Sequence, residues 1–182
     1  LEFLVPAEGV EVVLFAGQDM QDVVRRFNLF NGGGVLPPKW GLGFWHRVPT
    51  LFTDRQVQDE IAEFRKRGFP LTVIGLEPGW MSRAYPCTYE WDATRFPEPG
   101  KFVNDLLQKH IRTNLWFNPG VSPECEIRDS IEPYTASHTE WNGLVPDYRM
   151  PEARRIMLDH FKKHQLDLNL SVPRKRRNMS DE

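Results

Sequence analysis

The stretch Leu71–Met81, LTVIGLEPGWM, decides how the rest of the chain is read. It opens as an apolar run, Leu71-Thr72-Val73-Ile74, rich in β-branched residues. It closes on a carboxylate, Glu77, before the breakers Pro78 and Gly79 and then Trp80. A short continuous apolar run bounded by turn signals is the pattern of a buried parallel strand. A carboxylate beside an aromatic, at the C-terminal end of such a strand, is what the active-site face of a barrel places there. From the strand alone, Glu77 reads equally as a loop charge paired with an arginine.

Upstream of this strand, Thr53 and Gln56 form a capping-box pair, and Val57, Ile61 and Phe64 follow at helical spacing. Gly68 supplies the residue just past that helix. Before it, Trp40–Trp45 (WGLGFW) reads as a strand whose glycines admit a close backbone or ligand, with His46 and Arg47 at its C-terminal end. Downstream, a long loop from Ser82 to Gly100 leads to a helix marked by Phe102, Val103, Leu106 and Leu107. A third strand, Thr113–Phe117, ends at Asn118-Pro119-Gly120, and a second long loop runs to Met150. Pro151 opens a helix with the inner stripe Ala153, Ile156, Met157, His160 and Phe161, and Leu166–Leu170 has the composition to begin a fourth strand. Strands alternating with helices imply βαβ units and a parallel sheet. Long loops after strands and short loops after helices predict part of a (β/α)8 TIM barrel, the first three to four βα units, with its site on the long-loop face. A doubly wound sheet would want a glycine-rich phosphate loop after the first strand, and there is none.

At the amino-terminal end, Val10 and Val12–Phe15 favour a strand stopped by Gly17, and Asp19 caps a helix carrying Met20, Val23, Val24 and Phe27. The expected division is 1–35, the end of a β-sandwich with a linking helix; 36–170, the first part of the barrel; and 171–182, an irregular basic tail. A formal net charge of −2 argues against nucleic acid as a partner. With no run of about 18 apolar residues and no signal peptide, no membrane association is expected. The two cysteines, Cys87 and Cys125, give neither a disulfide framework nor metal spacing and are expected to be free. A chain that begins at Leu1 reads as a piece of a longer product, which leaves its compartment open, with the cytoplasm favoured.

The strand-end groups are His46, Arg47, Glu77, Trp80, Trp116 and Asn118, and the second long loop adds Trp141. Planar aromatics mixed with bidentate polar groups suit a sugar, which offers apolar C–H faces and a ring of hydroxyls. A phosphate site would want more Lys and Arg. A metal site would want histidines and carboxylates at tight spacing, and the five histidines are scattered, so no metal or cofactor is expected. His46 reads equally as a core histidine, Trp116 as facing either side of its sheet, and Asn118 as a turn former. Trp40 and Trp45 read as packing residues.

Several motifs resemble glycoside hydrolase family 31. LPPKWGLGFW at 36–45 is similar to the family's "PPKWALGY"-like strand at the start of its barrel, and VIGLEPGWM at 73–81 to "VIWLDIDYM". YEWDATRFPEP at 89–99 resembles "FTWDPERFPDP", NLWFNPGVS at 114–122 the third strand, and EWNGLVPDYRMPEAR at 140–154 the pattern "VWPGxxxFPDFTNPEA". The order of the motifs matches too. The resemblance implies a retaining α-glycosidase acting on terminal α-linked sugars, with carbohydrate as the partner. It implies that Glu77 stands for an Asp that grips sugar hydroxyls, that Trp141 lines the same subsite, and that Asn118 stands where an Asp is common. Glu at 77, Pro78-Gly79 after it, and His46-Arg47-Val48-Pro49 in place of an aromatic cluster depart from the pattern and leave the sugar unnamed. The family's nucleophile and acid/base follow the fourth and sixth strands, and the sequence past Leu168 turns into NLSVPRKRRNMSDE with no such strand end. From Trp40 on, the chain is far shorter than the about 250 residues of a complete barrel. A product inactive by itself is therefore expected. A non-catalytic sugar-binding remnant or the product of a disrupted gene is the alternative, and an α-galactosidase-like barrel a more distant one.

Overall fold

A computed structural model describes residues 8–168. The chain falls into two compact units, Leu1–Pro38 and Lys39–Glu182.

In the first unit the described residues hold one helix, α1 (Met20–Phe30). Asp19 caps it as its sequence position predicts, its carboxylate accepting from the Asp22 N–H at 2.8 Å. Asn31 and the glycines end it, Gly32 and Gly33 both with φ near +85°. Phe15 packs edge-on against Phe27 and Phe30. The strand expected over Val10–Phe15 is not formed, and no sandwich strand is present among the described residues of this unit. A β-branched run becomes a strand only when a neighbour takes up its backbone groups, and here Val10, Val12, Val13 and Leu14 stay exposed.

The second unit alternates strand and helix. β1 (Phe44–Arg47), β2 (Leu71–Leu76) and β3 (Arg112–Leu115) form a parallel sheet in the order β1-β2-β3. α2 (Asp54–Lys66) connects β1 to β2, and α3 (Pro99–Gln108) connects β2 to β3. Thr53 and Gln56 make the reciprocal capping box at the start of α2, and Gly68 takes φ +70° after its end. β1 begins later than WGLGFW suggested, because Lys39–Leu42 forms a 3-10 turn. Gly43 is where the neighbouring strand comes close: a Cβ there would stand 2.3 Å from the Thr72 side chain. β3 is likewise shorter than expected, so Trp116 and Phe117 lie just beyond it.

The second long loop is not irregular throughout. It holds a short helix, α4 (Arg128–Ile131), and a hairpin of β4 (Thr135–Glu140) and β5 (Gly143–Pro146). The hairpin turns at Trp141-Asn142, both with positive φ, as the tightest hairpin loops require. The Asn142-Gly143 pair carried that signal. The polar TASHTE sequence of β4 hid it, since alternation is absent there. α5 (Pro151–Phe161) follows, with Ala153, Ile156, Met157 and His160 buried as its stripe predicts, and it widens into a π-helical turn over Lys162–Leu166. Leu166 therefore ends a helix and does not begin a strand. Asp167 and Leu168 are not in a strand either, and residues 169–170 of the expected strand, with the tail, lie outside the described residues.

Parallel register fixes which side chains share a face of the sheet. His46, Ile74 and Thr113 align, as do Arg47, Gly75 and Asn114. The first row faces the helices, where Ile74 and Leu76 join Val57, Ile61, Phe102, Leu106 and Met157 in the core. Burying each such aliphatic side chain contributes about 1.5–3 kcal/mol. The second row faces away, into what a closed barrel would enclose. Cys87 and Cys125 are free and buried.

Candidate functional site

The long loops gather at the C-terminal ends of the strands, so the chemistry of the site is the chemistry of those ends. Arg47 closes β1, and its Nε meets Glu77 Oε1, the first residue past β2. The guanidinium is largely exposed and the carboxylate mostly covered, so the pair contributes little to stability and mainly orients the carboxylate. Below this pair lies an open cavity of about 390 Å³, lined by Trp45, Arg47, Gly75, Asn114, Trp116 and Phe117.

The backbone after Glu77 is held from two sides. Pro78–Trp80 forms a 3-10 turn pressed on the loop after β1, and a Cβ on Gly79 would overlap the Thr50 carbonyl, which explains the glycine. From the loop before α3, Arg95 donates to the carbonyls of Gly79 (2.6 Å) and Met81 (3.1 Å). Asp92 in turn accepts from the Thr94 hydroxyl (2.5 Å) and from the backbone N–H groups of Thr94 and Arg95 (both 2.9 Å). Burial pushes the Asp92 carboxyl up, but these hydrogen bonds and the Arg95 charge outweigh it and leave it below its ordinary value. The WDATRFPEP motif is thus a brace for the Glu77 turn.

The structure sorts the remaining candidate residues. His46 borders the cavity, but its ring turns to α2. Its Nε2 lies 3.0 Å from Glu60 Oε1 and its ring packs on Phe64, both in α2, because alternation along β1 sends Arg47 one way and His46 the other. Trp80 is fully buried, and its indole N–H donates to the Trp116 carbonyl at 2.7 Å, so it supports the end of β3 and is closed to a ligand. Asn118 is also committed internally: its amide donates to the Ala84 carbonyl at 3.2 Å and its side-chain oxygen accepts from the Gly120 N–H at 2.9 Å. With the Tyr89 hydroxyl donating to the Asn118 carbonyl at 2.9 Å, it stitches the loops after β2 and β3 together.

Arg47, Glu77, Trp116 and Trp141 stay with the accessible surface. Trp141, at the tip of the β4–β5 hairpin, is 56% exposed and meets Tyr85 edge-on at 5.3 Å; Tyr85 lies 5.0 Å from Trp116. Tyr85 is the residue that sequence reasoning passed over. Its signal was an aromatic in the loop directly after Glu77, and only the fold shows that it bridges two tryptophans 25 residues apart in sequence.

This arrangement defines a class: a parallel (β/α) barrel segment with a carboxylate and aromatics on its long-loop face. The description "Glycosyl hydrolases family 31 TIM-barrel domain" matches residues 34–173, and the chain belongs to this family. An alpha-xylosidase of Emericella nidulans is 28% identical over 182 aligned residues, covering 92% of this chain and 23% of the relative. Alpha-glucosidase 2 of Bacillus thermoamyloliquefaciens is 32% identical over 127 residues, covering 69% of this chain and 16% of the relative. The crystal structure of a Flavobacterium johnsoniae family 31 dextranase complexed with glucose shares the fold, with a TM-score of 0.66 at 22% identity over 86% of this chain and 20% of that one. The chain thus spans about a fifth of the length of these relatives. Among the described residues, no helix is long and apolar enough to cross a membrane.

Proposed function

We propose that the strand ends of this chain are the sugar-holding part of a retaining α-glycosidase that releases terminal α-linked sugars from oligosaccharides or glycosides. The observation that carries this reading is the Arg47–Glu77 pair beside Trp116 and Tyr85. A carboxylate held in place by a guanidinium accepts hydrogen bonds from vicinal hydroxyls, and the aromatic faces cover the apolar side of a pyranose. Two of the residues that depart from the family pattern, Arg47 and Glu77, are in contact with each other. They act as one unit, in which the longer carboxylate is placed by the arginine. The named activities of the relatives, on α-xylosides and α-glucosides, set the sugars to try first.

The 182-residue chain by itself does not turn over substrate in this reading. Retention needs two carboxyl groups about 5–5.5 Å apart across the glycosidic bond. At the ends of β1–β3, the described residues offer Glu77 alone, and it is tied to Arg47. The test is hydrolysis of aryl α-xylosides and α-glucosides by the purified chain and by Glu77→Ala. No turnover above blank is expected from either. Turnover by the chain that vanishes in Glu77→Ala would give Glu77 a catalytic role and overturn the holding role assigned here.

A further inference from the structure

Where α5 packs against the loop after β2 and the segment before α4, the fold gathers Glu90, Glu126, His160 and His164, with their ligand atoms all within 4.8 Å of one another. Glu126 Oε1 lies 3.1 Å from His160 Nδ1 and 2.8 Å from His164 Nε2. Glu90 joins through the Glu126 N–H, which donates to Glu90 Oε1 at 3.3 Å. The sequence left these groups far apart. The histidines become neighbours because they are four residues apart across the junction of α5 with its π-helical turn, which brings their ring centroids to 4.5 Å.

The state of His160 follows from its surroundings. Its Nε2 stands 2.9 Å from the Thr88 carbonyl oxygen, which only accepts, so Nε2 carries a proton. In a neutral ring, Nδ1 is then a bare lone pair aimed at Glu126 Oε1 and toward His164. A lone pair facing a carboxylate repels it unless a cation lies between. The His160 side chain is wholly buried, and Lys163 Nζ holds Glu126 Oε2 at 2.6 Å, which leaves Oε1 facing the two rings. A histidine that donates one ring N–H to a backbone carbonyl and turns its other nitrogen to a carboxylate and a second histidine has the arrangement of a metal ligand.

We propose that Glu90, Glu126, His160 and His164 bind a divalent transition-metal ion of the zinc class. Two imidazoles with carboxylates suit zinc, cobalt or nickel; calcium and magnesium take all-oxygen sets. Bonds of about 2 Å at tetrahedral angles place neighbouring donors about 3.3 Å apart, between the 2.8–3.1 Å from Glu126 Oε1 to the two histidine nitrogens and the 4.8 Å limit of the set, so small rotations bring the ligands to the ion. Cys125 is not a ligand: its Sγ donates to the Thr88 carbonyl at 3.2 Å. A cavity of about 470 Å³ bounded by Glu126, Tyr134, Glu152, Arg155 and Lys163 opens on His160 and gives the ion a path in. The bound ion ties α5 to the loop carrying Thr88 and Glu90 and to the segment carrying Glu126.

Cobalt(II) is the probe, titrated into the 182-residue chain and followed by visible absorption, then displaced with zinc. One cobalt per chain is expected, with the intense bands of a tetrahedral nitrogen–oxygen site, unaffected by calcium or magnesium. His164→Ala, at the partly exposed ligand, should weaken zinc binding by about tenfold or more. Lys163→Met, which frees Glu126 Oε2, should strengthen it. His138→Ala, on the exposed edge of β4, should change nothing. If His164→Ala does not fold, Glu90→Gln serves instead, through a shift of the cobalt bands. Absence of tetrahedral bands in the parent chain would overturn the proposal, as would bands that survive both His164→Ala and Glu90→Gln unchanged.

Discussion

The two faces of the three-stranded sheet are built to different rules. Toward the helices, Ile74 and Leu76 of β2 are sealed by α2 and α3, and even the polar His46 is satisfied there by Glu60. On the opposite face, Val73 and Gly75 are covered, but Trp45, Arg47, Arg112 and Asn114 are exposed, and Arg112 sits over the Trp40 ring. One face holds the unit together by shape. The other presents hydrogen-bonding and stacking groups around a cavity, and its order comes from braces in the loops. Stability and the proposed sugar contact therefore fall on different residues, even where they are adjacent in sequence.

The sharpest way to break this comparison is to truncate one residue from each face. Ile74→Ala should destabilise by about 2–5 kcal/mol, and Trp45→Ala, already half exposed, by clearly less. Urea unfolding of the two variants measures both, and equal losses would mean that the second face is packed as tightly as the first.

The braces make an intermediate prediction. Gly79→Ala places a methyl group against the Thr50 carbonyl and should cost about 1–3 kcal/mol, with displacement of Glu77. Calorimetric melting gives the cost, which should disappear if the Pro78–Trp80 turn shifts freely.

A smaller effect should come from pH. The Asp92 carboxyl is lower in the folded chain than in the unfolded one, so its contribution is present above the unfolded value. It is lost as pH falls through the folded value. Arg95→Ala should cost about 1–3 kcal/mol at neutral pH. It should also flatten the loss of stability as pH falls below the ordinary Asp value of about 3.9, relative to the parent chain. An unchanged acid limb in the variant would show that the Asp92–Arg95 brace is not what titrates.

How much of this was legible beforehand follows from the range of each interaction. The α2 capping box, the Gly68 stop, the apolar β2 run and the α5 stripe are local, so their residue types announce them within a few positions. The β-branched run before Gly17 misled because pairing is not local. Glu77 and Arg47 were visible as strand-end groups, but their contact depended on register. His46 was misplaced for the same reason, since a shift by one residue along β1 exchanges the two faces. Trp80 and Asn118 belong to the brace because their partners, Trp116 and Ala84, lie more than thirty positions away. Tyr85 joins the aromatic row only once the hairpin has brought Trp141 beside it.

The central claim, that a sugar is held by Glu77 with Trp116 and Trp141, is tested most directly at the indoles. There are six tryptophans, each with one indole N–H visible by nitrogen-15 NMR. Titration with xylose, and separately with glucose, should shift the signals of Trp116 and Trp141. It should leave those of Trp80 and Trp91 in place, because their N–H groups are bound to the carbonyls of Trp116 and His164. In Glu77→Ala the same titration should shift nothing. Shifts confined to other tryptophans, or shifts at Trp116 and Trp141 that persist undiminished in Glu77→Ala, would contradict the account.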